Sequence, residues 1–239
     1  MNTSKLLHVV IYSGGMDSFT LLHGTLARAE HDRKMSGREN KVLALSFQYG
    51  QRHSRELDRA KHVTAALGIE HVVRHMTLHA GQSSLMGAQP IPEGHYEAES
   101  MRSTVVPGRN LIFLAFAASL AESRIGPDDQ AIVCYGAHAG DHHIYPDCRP
   151  EFAAAASSVM AHSTDGRVVL VAPFLHMDKA RILLAGADMG LSAQSYFDTW
   201  TCYQGDEMPC GKCGACQERA EAFAKVGWID PTYGRPWPY

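Results

Sequence analysis

The stretch Ser13-Gly14-Gly15-Met16-Asp17-Ser18 joins an apolar run, residues 6–12, to residues 19–27, whose apolar side chains recur at helical spacing. This order predicts a buried strand that turns through two glycines into a helix. Such a turn presents free backbone N–H groups at the positive end of a helix dipole, where phosphate binds. Glycine lets an oxyanion approach closely, and the Ser13 and Ser18 hydroxyls add donors. The stretch therefore predicts a phosphate-binding loop, with an ordinary strand-to-helix turn as the alternative.

The loop differs from two other phosphate-binding patterns, since it has neither the Gly-Lys-Ser/Thr ending of a Walker loop nor the glycine spacing of a dinucleotide fingerprint. It resembles the pyrophosphate (PP) loop of the ATP pyrophosphatases, which cleave ATP between its α- and β-phosphates. The resemblance implies a Rossmann-like fold of the adenine nucleotide alpha hydrolase type. It also implies that a run of consecutive residues holds ATP: Tyr12, Ser13, Gly14, Gly15, Met16, Asp17, Ser18, Phe19, Thr20, Leu21 and Leu22.

The composition is that of an ordinary soluble protein. The 239 residues are 45% hydrophobic and 20% charged, and the net charge of −3 gives no reason to expect a nucleic-acid partner. The most apolar segment, residues 111–118, is far shorter than the ~20 residues of a membrane span. The N-terminal apolar run leads into the phosphate loop and is not a signal peptide. We expect a cytoplasmic protein with no membrane partner, in which structural disulfides are not expected.

Strands and helices are predicted to alternate along the chain. Strands are expected at residues 5–12, 41–48, 70–77, 130–135 and 167–171, and helices at residues 17–30, 54–67, 109–124, 149–162, 178–189 and 214–226. Ser54 can cap the second helix, while Gly68 and Gly190 can end helices. This alternation predicts an α/β fold whose mostly parallel sheet has helices on both faces. Ligands should then bind beyond the carboxyl ends of the strands.

Two stretches break the alternation. Residues 31–40 are polar and are predicted to form a surface loop. Residues 79–104 are rich in Gly and Ser and show little periodicity. A loop of that length is uncommon in a compact domain, so we interpret it as a mobile segment that covers the substrate.

Four cysteines are clustered near the C-terminus in the pattern Cys202-x7-Cys210-x2-Cys213-x2-Cys216. Four thiolates at this spacing favour one structural, tetrahedral Zn²⁺ per chain, because no position is left open for water. An iron–sulfur cluster and a reactive thiol pair are the alternatives. Lys212 and Arg219 are expected to offset the negative charge of the site. We divide the chain into an α/β domain, residues 1–200, and a small helical zinc-binding segment with a tail, residues 201–239.

The phosphate loop and the cysteine cluster together resemble the 7-cyano-7-deazaguanine synthase family. The resemblance runs nearly end to end. Besides the phosphate loop and the three later cysteines, five segments carry it: Phe47–His53, Val106–Asn110, Tyr145–Arg149, Pro173–Ala180 and Thr201–Tyr203. It implies an ATP-dependent C–N ligase that converts 7-carboxy-7-deazaguanine and ammonia into the nitrile in queuosine biosynthesis. The implied route passes through an adenylated carboxylate and an amide, and releases AMP and pyrophosphate.

The resemblance also implies roles for individual residues. The catalytic candidates are Asp17, Ser18, Arg109 and Lys179. Asp17 would orient the loop or ligate Mg²⁺, while Arg109 and Lys179 would neutralise charge that develops on the phosphates. The substrate-binding candidates are Gln51, Arg52, Asp147 and Arg149. A homodimer is the family expectation for the assembly.

Other readings of the chain stay open. Residues 137–144 hold three histidines and an aspartate where the family usually has a more acidic, hydroxyl-rich sequence, so substrate preference could differ there. An enzyme of the same fold could join the activated carboxylate to an amine other than ammonia. A tRNA thiolase would need a reactive cysteine pair and an RNA-binding surface, and a nucleotide-binding module would release no AMP.

Overall fold

One parallel sheet organises the part of the chain that the structure describes. The structure is a computed structural model that describes residues 4–51, 55–79, 81–87 and 89–232. Its strands are β1 (Leu6–Ile11), β2 (Asn40–Gln48), β3 (Glu70–His75), β4 (Gln130–Cys134) and β5 (Val168–Val171). They lie side by side in the order β3-β2-β1-β4-β5, and every pairing is parallel. The predicted parallel sheet is confirmed.

Helices cover both faces of this sheet. They are α1 (Met16–Ser36), α2 (Arg55–Ala66), α3 (Arg109–Glu122), α4 (Pro150–Ser163), α5 (Lys179–Asp188) and α6 (Gly214–Lys225). Successive residues of the central strand point to opposite faces, so Val10 packs with Phe19 and Ile182 from α1 and α5, while Val9 packs with Phe113 from α3. Burial on both faces is typical of parallel sheets and confirms the Rossmann-like α/β class.

The polar loop predicted at residues 31–40 is wrong over most of its length, because α1 continues to Ser36. Polar residues three and four apart on a helix face each other, and the Arg28 guanidinium lies 2.9 Å from the Asp32 carboxylate. Gly37 ends the helix in the left-handed region, with φ of 70°. A solvated helix and a solvated loop share this composition, so polarity alone was a poor guide.

The other helices and strands begin and end within two residues of their predicted bounds. Gly68 and Gly190 have positive φ at the ends of α2 and α5, as predicted. Ser54, the predicted cap of α2, lies outside the described residues. None of the described helices has the length and apolar character needed to cross a bilayer.

The long segment at residues 79–104 is folded against the cysteine region where it is described. Its buried residues Leu85 and Ile91 pack in one cluster with Cys213, and Glu93 forms an antiparallel bridge to the same cysteine. The segment ends in a 3₁₀ helix, Glu99–Thr104. Its mobility and its covering role stay predictions.

The C-terminal helix also packs on the sheet domain. Phe223 of α6 is buried beside Tyr196 and within the same core cluster as Phe19. The proposed division at residue 200 stays a prediction, and residues 233–239 of the tail lie outside the described part of the chain.

The end of α1 is tested by Gly37→Ala. An alanine must adopt the strained left-handed conformation, although its Cβ would meet open space, so we expect unfolding free energy to fall by about 1 kcal/mol. Chemical denaturation measures this loss. Ser36→Ala, which keeps the glycine, is the control and should lose less. An unchanged midpoint for Gly37→Ala would contradict the assigned helix end.

Candidate functional site

The loop between β1 and α1 has the geometry of a phosphate site. Gly14 has φ of +90°, and a Cβ there would overlap the backbone carbonyl oxygen of Glu56, so only glycine fits. Gly15 precedes the first turn of α1 and no side chain caps the helix, which leaves the first amides available to an anion. The Ser13 and Ser18 hydroxyls lie 3.1 Å apart. The predicted strand–turn–helix is confirmed.

This loop forms one wall of a cavity of about 240 Å³ beyond the carboxyl ends of β1, β2 and β4. That position is where ligands bind in open α/β sheets. Of the residues predicted to hold ATP, those that line the cavity are Tyr12, Ser13, Gly15, Asp17 and Ser18. Phe19, Leu21 and Leu22 instead pack in the core, and the Thr20 hydroxyl lies 2.8 Å from the Tyr196 hydroxyl.

The cavity floor contains a buried cluster around Lys179. The Lys179 ammonium lies 2.9 Å from the Asp17 carboxylate, 3.0 Å from the Glu218 carboxylate and 2.7 Å from Nε2 of His138. The Asp141 carboxylate lies 3.3 Å from the same ring nitrogen. Two of the predicted catalytic residues, Asp17 and Lys179, are thus brought into direct contact.

Attraction between their opposite charges stabilises the ionised forms of Asp17 and Lys179. Burial alone raises the pKa of Asp17, but Lys179 and His138 outweigh it, and the pKa is lowered. Burial likewise lowers the pKa of Lys179, but Asp17 and Glu218 reverse this and raise it. For Glu218, burial dominates and the pKa is raised in spite of Lys179. Lys179 is therefore a fixed cation beside the phosphate loop.

Arg109 lies on a second, aromatic side of the cavity. Its Nη1 donates to the Tyr49 hydroxyl at 3.2 Å, and it makes no ion pair with a described residue. Phe47 and Phe113 stack nearby, with ring centroids 4.0 Å apart. A half-buried guanidinium beside flat aromatic walls can bind a planar ligand that carries negative charge.

Three predicted substrate residues that the structure describes, Gln51, Asp147 and Arg149, do not line the cavity. The Asp147 carboxylate accepts a hydrogen bond from the Asn110 amide at 3.0 Å, and so satisfies the start of α3. The Arg149 side chain donates to the His142 carbonyl oxygen at 2.9 Å, and the Gln51 side-chain oxygen accepts from the Tyr49 amide at 2.7 Å. Arg52 lies outside the described residues. The substrate-binding roles of the four residues stay predictions.

Sequence reasoning missed three members of the Lys179 cluster, namely His138, Asp141 and Glu218. His138 was seen only as part of an unusual loop, yet its side chain is just 2% exposed. Glu218 comes two residues after Cys216, and its placement depends on how α6 docks on the sheet. The only sequence signal for Glu218 was an acidic residue on the helix that follows the cysteine motif.

The four cysteines Cys202, Cys210, Cys213 and Cys216 converge as predicted. Their sulfur atoms all lie within 4.8 Å of one another, and those of Cys210 and Cys216 are 3.9 Å apart. Tetrahedral metal–sulfur bonds of about 2.3 Å would put sulfurs roughly 3.8 Å apart. Backbone amides also point at the sulfurs, including that of Cys213 at 3.4 Å from Sγ of Cys210. This donor set fits a thiolate-bound metal.

The cysteine segment is attached directly to the phosphate loop. The Trp200 amide donates to the Gly14 carbonyl oxygen at 2.9 Å, and the Trp200 indole donates to the Cys202 carbonyl oxygen at 2.8 Å. Lys212 and Arg219 each pair with a carboxylate, and their expected role in offsetting the thiolates stays a prediction. Lys212 lies 3.8 Å from Glu93, and Arg219 forms a buried pair with Asp230 at 2.7 Å.

The fold and the site define a Rossmann-like α/β protein with a PP-type loop and a four-cysteine cluster. The family model described as "Queuosine biosynthesis protein QueC" matches residues 7–227, and the chain belongs to that family. The 7-cyano-7-deazaguanine synthase of Marinomonas sp. (strain MWYL1) is 51% identical over 93% of this chain and 95% of that protein. The enzyme of the same name from Pseudoalteromonas atlantica is 50% identical over 93% of this chain and 96% of that protein.

Among solved structures, an NMN synthetase from Francisella tularensis is similar with a TM-score of 0.48 and 15% identity. The similarity covers 95% of this chain and 79% of that chain. A likeness this distant says nothing about function.

The buried ion pair predicts a pH-dependent loss of stability in Asp17→Asn. Because the folded pKa of Asp17 lies below its unfolded value near 3.8, the carboxylate stabilises the fold above that pH. At neutral pH we expect the variant to lose about 3 kcal/mol of unfolding free energy. The difference from wild type should shrink as pH falls below about 4. Urea titrations without Mg²⁺ or nucleotide measure it, and a pH-independent difference would contradict the assignment.

The cysteine cluster predicts loss of bound metal in Cys210→Ala. Removing one thiolate leaves an incomplete donor set, so metal content should drop severalfold and thermal stability should fall. Cys134→Ala is the matched control, because Cys134 is a buried free cysteine in β4. Elemental analysis of both purified variants checks the result. Full metal content in Cys210→Ala would exclude that residue as a ligand.

Proposed function

We propose that the chain is an ATP-dependent ligase that converts 7-carboxy-7-deazaguanine and ammonia into 7-cyano-7-deazaguanine. The observation that carries the proposal is that the PP-type loop, Lys179 and Arg109 face one cavity in a chain about 50% identical to relatives of that name. The reaction consists of two adenylations. The product would enter queuosine biosynthesis, as the family description indicates.

The first half of the proposed reaction makes an amide. A substrate carboxylate oxygen attacks the α-phosphorus of ATP, and pyrophosphate leaves toward the loop amides. Ammonia then attacks the acyl carbon, AMP leaves, and one proton is released. Activation is necessary because hydroxide is a poor leaving group, whereas AMP is a good one.

The second half makes the nitrile. The amide oxygen attacks the α-phosphorus of a second ATP and pyrophosphate leaves again. The nitrogen loses its remaining two protons as the C–O bond to AMP breaks and the triple bond forms. Two ATP molecules thus yield two AMP and two pyrophosphate molecules for each nitrile.

The described residues supply binding and charge for these steps. The first-turn amides of α1, together with the Ser13 and Ser18 hydroxyls, bind the departing pyrophosphate. Lys179 and Arg109 offset the negative charge that develops in the transition state. Asp17 orients Lys179 through their 2.9 Å contact. The aromatic wall with Phe113 receives the planar deazapurine.

Two metals belong to the proposal. Oδ1 of Asp17 is buried without a hydrogen-bond partner, which fits an oxygen ligand for Mg²⁺. Mg²⁺ would neutralise phosphate charge. The four cysteines would hold one structural Zn²⁺ per chain, for which their clustered sulfurs are suited. Elemental analysis separates zinc from iron, and an iron–sulfur cluster would also absorb visible light.

A tRNA thiolase is the less favoured function. Among the described residues that line the cavity, Cys148 is the only cysteine, and burial raises its pKa and keeps it protonated.

A cytoplasmic homodimer without a nucleic-acid partner remains part of the proposal. Transfer to another amine would give a conjugate in place of the nitrile.

The decisive experiment combines the protein with ATP, Mg²⁺, ammonium and 7-carboxy-7-deazaguanine, and weighs the product by mass spectrometry. We expect the nitrile with two AMP per product. Asp17→Ala should reduce AMP formation at least a hundredfold, because it leaves Lys179 misplaced. AMP formation without nitrile, or sulfur transfer to tRNA, would overturn the proposal, and full activity of Asp17→Ala would remove that residue from the machinery.

A further inference from the structure

A second, much smaller cavity adjoins the first. It has a volume of about 20 Å³ and lies between the segment that carries Tyr96 and Met101, the turn that carries Asp141, and the first turn of α6. The two cavities share five lining residues and so share a wall: Asp141, Tyr145, Tyr203, Ala215 and Glu218. A cavity needs a volume of about 10–15 Å³ to hold one water-sized molecule. The small cavity therefore has room for one such molecule and excludes a nucleotide or a deazapurine.

The polar side chains that line this small cavity are two carboxylates, which only accept hydrogen bonds, and three tyrosine hydroxyls, which accept and donate. The described lining residues include the carboxylates of Asp141 and Glu218 and the hydroxyls of Tyr96, Tyr145 and Tyr203, and no lysine, arginine or histidine. The Tyr145 hydroxyl lies 3.4 Å from that of Tyr203. The two carboxylates favour a ligand that donates hydrogen bonds.

The charge around the shared wall also favours a cation. The Asp17 and Glu218 carboxylates lie 2.9 Å and 3.0 Å from the Lys179 ammonium, and the Asp141 carboxylate lies 3.3 Å from Nε2 of His138. Lys179 compensates one of these charges and lies on the side of the main cavity. Because three carboxylates share one lysine, another positive charge at the wall would be stabilised.

We propose that the small cavity binds ammonium, the nitrogen substrate of the proposed function on which this inference rests. Ammonium is water-sized, carries one positive charge and has four N–H donors for the carboxylates and tyrosine hydroxyls. The shared wall places it next to the cavity in which the carboxylate is activated. ATP and the deazapurine would occupy the main cavity, so a separate place for the nitrogen avoids competition.

Neither Mg²⁺ nor water fits this site as well as ammonium does. Mg²⁺ demands six oxygen ligands and keeps several waters, for which about 20 Å³ leaves no room. Water fits in size but leaves the carboxylate charge uncompensated. Both are outcomes that the experiment below can detect.

The test is Asp141→Asn, which removes the charge and keeps the shape. With ATP and 7-carboxy-7-deazaguanine saturating, we expect the KM for ammonium to rise about tenfold, and the KM values for the other two substrates to change less than the KM for ammonium. Asp188→Asn is the matched control, because Asp188 is exposed at the end of α5 and lies outside both cavities. Tyr145→Phe is a second variant and should raise the KM for ammonium by a smaller factor.

Two further measurements separate the proposal from general damage. The synthetic amide, 7-amido-7-deazaguanine, needs ATP but no ammonium, so Asp141→Asn should slow its conversion far less than it slows amide formation at low ammonium. Methylamine is one methyl group larger than ammonia and should be a poor nitrogen donor for the wild-type protein.

Several results would overturn the ammonium site. They are an unchanged KM for ammonium, an equal loss with both starting substrates, a shift in Mg²⁺ dependence alone, or methylamine used as readily as ammonium. Failure of the wild-type protein to make amide or nitrile at all would instead refute the proposed function, and the two failures are thereby distinguishable.

Discussion

The contact between the Lys179 ammonium and the Asp17 carboxylate is the interaction on which the site depends. Both groups are largely withdrawn from water, and a charge in that position is tolerated only when an opposite charge meets it. Lys179 begins α5, Asp17 lies in the first turn of α1, and Glu218 adds a third contact from α6. One buried cation therefore fixes the relative positions of three helices that are distant in sequence.

The sheet makes this convergence possible. In a parallel sheet every strand ends at the same edge, so the loops after β1, β2 and β4 meet beyond it. The first strand supplies the phosphate loop and the fourth leads to His138. Arg109 enters from the start of α3, on the opposite face of the sheet from Lys179. The cavity thus has an ionic side and an aromatic side because helices from both faces reach its rim.

Much of this architecture followed from local sequence signals. The glycines of the phosphate loop, the spacing of the cysteines and the alternation of apolar runs each depend on a few neighbouring residues. One prediction failed and some site residues were missed. The assignment of residues 31–40 to a loop failed because polarity does not separate a solvated helix from a loop, and Glu218 was missed because only the docking of α6 buries it. The Asp147 carboxylate shows the same limit, since its partner is the distant amide of Asn110.

The hydrogen bond from the Trp200 amide to the Gly14 carbonyl oxygen has a consequence for the order of synthesis. The phosphate loop leaves the ribosome long before Trp200, whose backbone supports it. Glu218 emerges later still. A nascent chain that has not yet reached Trp200 and Glu218 therefore lacks two of the contacts that shape the site.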